Sequence, residues 1–316
     1  MSGRPTISMP GETPMRSTVR ARLEAPEETV DLALLAERWH DCEIKWTVEG
    51  LGKAIGDPGL PGRIRGAFGE ALLASASPQA TAGEPCAWDP PCGFEVLFRK
   101  QGRMEQGLDF PGPWVVELDT RSGNLLVTFR LFGFAADYEQ SAAEALTYAL
   151  RHKVDYAGRT GVYLPKPTVT HRMIRTGTEI ELLGALNGMI LDFRTPVTLT
   201  GNTVKQNPRG LITTAAARLA GLARWHDTAL ELDRETLVHA TRQLDFEWID
   251  AMPIQWQRGS SRQEKSFLMG GLVGRLVITG ETADLELPSA ILALGERTHI
   301  GADIAFGCGR YALTRF

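Results

Sequence analysis

Near its C-terminus the chain reads His299-Ile300-Gly301-Ala302-Asp303-Ile304-Ala305-Phe306-Gly307-Cys308-Gly309-Arg310-Tyr311. A G-x5-G-x-G spacing is neither a Walker loop nor a dinucleotide fingerprint. Glycines at a strand entrance let backbone N–H groups approach a phosphate closely, and Arg310 stands beside them. A kinked or bulged strand that needs small residues is the competing reading. A second constellation, Arg258, Ser260, Ser261, Arg262, Gln263 and Lys265, precedes Gly270, Gly271 and Gly274. A polar, basic hairpin tip of this kind suits phosphates and base edges, although hairpin tips are polar for solubility as well. The third is Pro61-Gly62-Arg63-Ile64-Arg65-Gly66-Ala67-Phe68-Gly69. Its arginines fall in a first helical turn, where N–H groups favour an anion, while its glycines suit close helix packing.

The elements that must carry these groups follow from hydrophobic periodicity and turn residues. Val30–Trp39 reads as a short amphipathic helix and Glu43–Gly50 as a strand. Arg63–Ala76 reads as a helix, followed by a Pro/Gly/Cys loop over Ser77–Gly93. Strands are expected at Phe94–Phe98, Trp114–Leu118 and Leu125–Phe132, the last two joined by a turn at Arg121–Asn124. A helix over Tyr138–Arg151 and a strand over Thr178–Leu183 close the round. The second round has a strand at Gly188–Phe193 and a helix over Leu211–His226. Strands at Glu247–Gln257 and Leu268–Thr279 flank a turn, before a short helix at Pro288–Leu294 and a strand over Ile304–Thr314. Strand, helix, two strands, helix, strand is the ferredoxin-like order. The expected fold class is therefore α+β: two tandem ferredoxin-like (RRM-like, βαββαβ) domains over 43–185 and 186–316, behind an N-terminal extension over 1–42.

Composition sets the bounds. The 316 residues carry 34 Lys plus Arg and 38 Asp plus Glu, a net of −4, with 43% apolar and 23% charged residues. That balance belongs to a folded protein of about two domains. No stretch is long and apolar enough for a membrane span, and Met1–Ser17 has no secretory h-region, so a cytoplasmic location without membrane partners is expected. The charge is uneven: residues 1–150 hold 14 basic and 21 acidic groups, 151–225 hold 11 and 4, and 226–316 hold 9 and 13. A basic middle can steer a polyanion, or simply face water. Cys42, Cys86, Cys92 and Cys308 are too scattered for a disulfide framework, and Cys86-x5-Cys92 is one loose pair where structural zinc needs four ligands. No metal and no cofactor is expected.

Taken in order, IRGAFGEAL at 64–72, FEVLF at 94–98, LFGFA at 131–135, LDFRTPVTL at 191–199, RGSSRQ at 258–263, GGLVGRL at 270–276 and the loop at 299–311 are recognisable. Over roughly residues 43–316 the chain resembles the CRISPR precursor-RNA-processing endoribonucleases of the RAMP superfamily, whose hallmark is the terminal glycine-rich loop. The resemblance implies a tandem ferredoxin-like protein that binds a CRISPR repeat, cuts it without metal, and often stays with the crRNA among other effector-complex subunits. Neither unit carries an RNP1-like aromatic string, which sets the chain apart from a generic RRM protein.

Metal-independent RNA cleavage uses the substrate's 2′-hydroxyl as nucleophile. It requires a base, cations for the phosphorane charge and an acid for the leaving 5′-oxygen, and it leaves 2′,3′-cyclic phosphate and 5′-hydroxyl ends. Histidine titrates in the right range. Members of the family often place a catalytic histidine shortly after the first helix of the N-terminal unit, and residues 73–98 contain none. His299, adjoining the glycine-rich loop, is the first candidate and His40 the next, with a base-poor site of Lys53, Arg63 and Arg65 as the alternative. His226 and His239 are expected on solvated helix surfaces. The RNA-binding set is Arg258, Ser260, Ser261, Arg262, Gln263, Lys265, Gly301, Gly307, Gly309 and Arg310. A catalytically silent subunit that holds the crRNA hairpin is the competing function.

Overall fold

The computed structural model describes residues 18–105, 108–156, 165–177, 186–199, 204–205, 207–260 and 265–316. The first unit comprises β1 (His40–Val48), α1 (Leu60–Ala74), β2 (Trp114–Arg121), β3 (Asn124–Phe132), α2 (Glu139–His152) and β4 (Pro167–Thr176). The second comprises β5 (Gly188–Val197), α3 (Gly210–Ala223), β6 (Asp245–Ser260), β7 (Lys265–Thr279), α4 (Thr282–Thr298) and β8 (Tyr311–Arg315). Sheet orders are β2-β3-β1-β4 and β6-β7-β5-β8, and every neighbouring pair is antiparallel. The same order twice is the tandem ferredoxin-like fold. Among the described residues no helix is long and apolar enough to cross a membrane.

β1 shows how sequence and packing interact. Cys42, Ile44, Trp46 and Val48 alternate and are buried, as a strand covered by helices on one face requires. Asp41 and Glu43, on the opposite face, are buried too. The second unit lies across that face, so a strand that alternates like a half-solvated one is enclosed on both sides.

Several expectations need correction. Phe94–Phe98, expected as a strand, is the core of a helix at Gly93–Leu97. Five residues are too few for periodicity to discriminate, and Glu95 is held inside by the Cys86 N–H at 3.1 Å and Arg99 at 3.3 Å. The last strand is only Tyr311–Arg315; Ile304–Phe306 forms a 3-10 turn between left-handed residues at Asp303 and Gly307. The fourth strand of the first unit is Pro167–Thr176, and Thr178–Leu183 lies outside the described residues. The N-terminal helix shrinks to Leu32–Glu37, because Glu28–Val30 pairs in parallel with Thr228–Leu230 and ties the extension to the second unit. A helix at Arg234–Gln243 was not anticipated; its N-cap Asp233 accepts from the Glu235 and Thr236 N–H groups. The short helix at Pro288 is a 17-residue helix that contains the proline.

Candidate nucleic-acid interface

β5 pairs with β7 only between Gly188↔Thr279 and Val197↔Leu272, whereas β6 and β7 stay paired out to Ser260↔Lys265. The β6–β7 hairpin therefore projects beyond its sheet as an arm. Direct partners on a ladder share a face, so Trp256 with Met269 and Arg258 with Phe267 line one side of the arm. That side meets α1. A Cβ at Gly59, just before α1, would lie 3.8 Å from Trp256 Cδ1.

Between the arm and α1 sits the 3-10 turn of the glycine-rich loop. The Arg258 guanidinium lies 4.0 Å from the centroid of the Phe306 ring, and that of Arg65 lies 4.9 Å from the same ring. Arg65 also covers Phe98 at 4.8 Å. Each cation–π contact contributes about 0.5–1 kcal/mol when exposed, and more when desolvated. The two like charges work against it. Burial, and then the charge of Arg258, lower the Arg65 pKa, and Arg65 Nε is buried without a hydrogen-bond partner among the described residues. Two guanidinium groups on one ring, one with an unused donor, form a site prepared for an anion. Arg63 is differently employed: it pairs with Asp57 at 2.6 Å and donates to the Asp155 carbonyl at 2.7 Å. Lys53 is exposed on the turn Gly52–Gly56 that leads into α1.

The rest of the loop does something else. Gly301, Gly307 and Gly309 all have positive φ. A Cβ on Gly307 would lie 2.7 Å from Pro61, and one on Gly309 would run into the Ile300 carbonyl. The N–H of Gly307 goes to Ile304 O and that of Gly309 to Pro196 O, both at 2.9 Å. These donors are spent inside the protein, so the expectation that the two glycines cradle a phosphate gives way to the alternative, a loop needing small residues for close packing. Arg310 pairs with Asp119 at 2.9 Å and Glu117 at 3.4 Å, and donates to Leu118 O at 3.2 Å.

Arg310 belongs to a charged seam between the units. Arg130 on β3 binds Glu43 at 2.5 Å and Glu117 at 2.9 Å, and donates to the Arg297 carbonyl at 3.1 Å. Arg297 reaches Asp41 at 2.9 Å. His299 follows α4 with φ 60°, fully enclosed at 0% exposure, its Nε2 3.4 Å from Glu117 Oε1. Burial raises the Glu117 pKa, but the His299 contact and the charges of Arg130, His299 and Arg310 bring it down to about 2. Burial lowers that of His299, against the opposing pull of Glu117.

The expected site residues thus divide. Arg65 and Arg258 meet on Phe306, with Arg63 and Lys53 nearby in sequence. Arg310 and His299 are locked into the seam, and His299's enclosure gives it a structural contact instead of a path to a ribose hydroxyl. His40 begins β1 while Lys53 lies past its other end, so eight strand steps, about 26 Å, separate His40 from that region. His226 is half-buried rather than solvated: its ring bonds Leu222 O at 3.0 Å and His40 O at 3.1 Å, while His239 is exposed as expected. Ser261, Arg262 and Gln263 lie outside the described residues, as do the side chains of Ser260 and Lys265. Among the described residues of the basic middle, Arg172, Arg175 and Arg194 pair with Glu139, Glu43 and Asp192, and half-buried Arg218 donates to Thr298 O. Sequence reasoning passed over Phe306 and Trp256, although an aromatic residue inside the glycine-rich loop was a legible signal. Among the described residues no group of three or more His, Cys, Asp or Glu side chains could hold a metal.

Residues 191–311, from β5 through the glycine-rich loop, match the family model for the CRISPR-associated endoribonuclease Cas6. The second unit thus carries the Cas6 family's pattern. Solved Cas6 structures share its architecture at low identity. A Cas6 (TTHB231) product complex superposes with a TM-score of 0.52 at 14% identity, covering 87% of this chain and 100% of that one. A Cas6 (TTHA0078) product complex gives 0.50 at 15%, covering 88% and 99%. Thermus thermophilus Cas6 (TTHB231) gives 0.50 at 11%, covering 88% and 98%. No curated protein matches the sequence. The Cas6 model match includes Arg258 and Phe306, two of the three groups that meet at the cation cluster.

Proposed function

We propose that this chain binds CRISPR repeat RNA between α1 and the β6–β7 arm and cuts precursor crRNA within the repeat. The observation that carries the reading is the convergence of Arg65 and Arg258 on Phe306, at the junction of three chain segments in a Cas6-family fold. Cleavage would proceed without metal by attack of the 2′-hydroxyl on the adjacent phosphate, leaving 2′,3′-cyclic phosphate and 5′-hydroxyl ends. Arg65 and Arg258 are placed to stabilise the phosphorane charge, and the aromatic ring between them to support a base or ribose. Lys53 and Arg63 flank the cut, and the β6–β7 arm, with Arg262 in the sequence between its strands, holds the duplex. The product would remain bound as crRNA, available to other effector-complex subunits.

A catalytically silent crRNA-holding subunit is the second reading, and the enclosure of His299 favours it. Single-turnover incubation with repeat RNA in excess EDTA separates the two. One cut that disappears when the scissile nucleotide is 2′-deoxy, with binding retained, supports the enzyme. Tight binding without any cut supports the silent subunit. Cutting of the 2′-deoxy substrate, or strict magnesium dependence, overturns the mechanism.

A further inference from the structure

Cys86 and Cys92 lie on the loop before the helix Gly93–Leu97, away from the cation cluster. With Ala80 they form a small apolar cluster separate from the main core, packed by Ala76 and Phe94. Phe94 packs against the main core as well, so it links the satellite to the rest of the fold. The Cys92 N–H donates to Cys86 Sγ at 3.2 Å, and both thiols are free and 6% exposed. Cys92 is also the N-cap of Gly93–Leu97. Phe98 caps the other end of that helix and lies under Arg65, against Gly69 of α1. Arg99 closes the loop by donating to the Gly83 and Glu84 carbonyls.

We propose that Cys86 and Cys92 are a redox-sensitive dithiol that closes to a disulfide and, through Gly93–Leu97 and Phe98, shifts Arg65. The shift of Arg65 bears on function through the RNA reading above; the thiol chemistry does not depend on it. The oxidant is a low-molecular-weight disulfide. The Cys86 thiolate attacks one of its sulfurs, forming a mixed disulfide and releasing one thiolate. Cys92 then loses its proton and attacks the Cys86 sulfur, releasing the second thiolate; the protein loses two hydrogens and the oxidant becomes two thiols. The chain supplies its own contrast. Burial pushes the Cys42 and Cys308 thiols up to about 12. Burial also raises Cys86, but hydrogen bonds from Ser77 and Cys92 prevail and lower it.

The test treats the full-length protein with oxidised glutathione, quenches it with N-ethylmaleimide in denaturant and digests it with trypsin. Both cysteines fall on the peptide Gly66–Arg99. The expected result is that peptide lighter by two hydrogens and unlabelled, while Cys42 and Cys308 carry the label. Labelling of both Cys86 and Cys92, or a persistent glutathione adduct without ring closure, overturns the proposal. Repeat-RNA affinity should fall several-fold on oxidation and recover with dithiothreitol, with no such change in Cys92→Ser. A disulfide with unchanged affinity overturns the coupling to Arg65. RNA binding absent from both reduced and oxidised protein counts against the RNA reading and leaves the thiol result standing.

Discussion

The seam and the cation cluster use the same residue type for opposite ends. In the seam Arg130 meets Glu43 and Glu117, and Arg310 meets Asp119 and Glu117. At the cluster Arg65 senses the charge of Arg258 and has no carboxylate partner among the described residues. A buried charge paired with a carboxylate resists change because removing one partner strands the other. One without such a partner is costly to fold around and would be relieved by an anion. The glycine-rich loop feeds both regions: Phe306 goes to the cluster, while His299 and Arg310 go to the seam. Loop residues within a dozen positions of one another therefore divide between the seam and the cation cluster.

The sharpest way to break this contrast is to remove one charge from each region. Arg130→Met should destabilise the protein by about 3–5 kcal/mol, because Glu43 and Glu117 lose the buried cation they share and keep more exposed partners such as Arg175 and Arg310. Denaturant midpoints at unchanged m-value would measure this. A loss below about 1 kcal/mol would mean that the seam is solvated. Arg65→Ala with Arg258→Ala should do the reverse, leaving stability near wild type but lowering single-turnover cleavage by about 10²-fold or more. If stability falls and cleavage per folded molecule does not, the cluster is structural.

Acid sharpens the comparison at smaller scale. The folded-state pKa of His299 lies below its ordinary value, so the unfolded chain takes up that proton first. Stability should decline as pH falls below about 6.5, with half-buried His226 adding in the same direction. Glu117, brought down to about 2 in the folded state, contributes stability that is fully present above its ordinary value and lost as pH falls toward 2. His299→Gln should flatten the slope between pH 7 and 5, which pH-dependent denaturation would show; an unchanged slope would assign it to His226. The smallest expected effect is at the arm's tip. Arg262→Ala should weaken repeat binding and reduce its salt dependence by about one phosphate contact, with the bound-state cleavage rate unchanged. A large loss of that rate at saturating protein would move Arg262 into the reacting centre.

Periodicity alone placed α1, α2, α3 and the long hairpin strands, because each buries one regular apolar face. The repeated order of elements then gave the tandem fold, and the ordered motifs gave the resemblance that the family model matches over 191–311. Short elements escaped this logic: Phe94–Phe98 offers too few residues to separate a helix from a strand, and Glu28–Val30 becomes a strand only because Thr228–Leu230 is there to pair with it. The site was half legible. Arg63, Arg65, Arg258 and the glycine-rich loop stood out by type and spacing, but spacing does not say where a side chain's charge is spent. Asp41, Glu43, Glu117 and Arg130 alternate on their strands like any solvent face. Only the packing of the second unit across the first sheet buries them, lowers Glu117, encloses His299 and leaves Arg65 with Arg258 for company. Local order along the chain is written in the sequence because it depends on neighbours in sequence. Which charges are paired and which remain available depends on neighbours in space, and the tertiary structure alone supplies those.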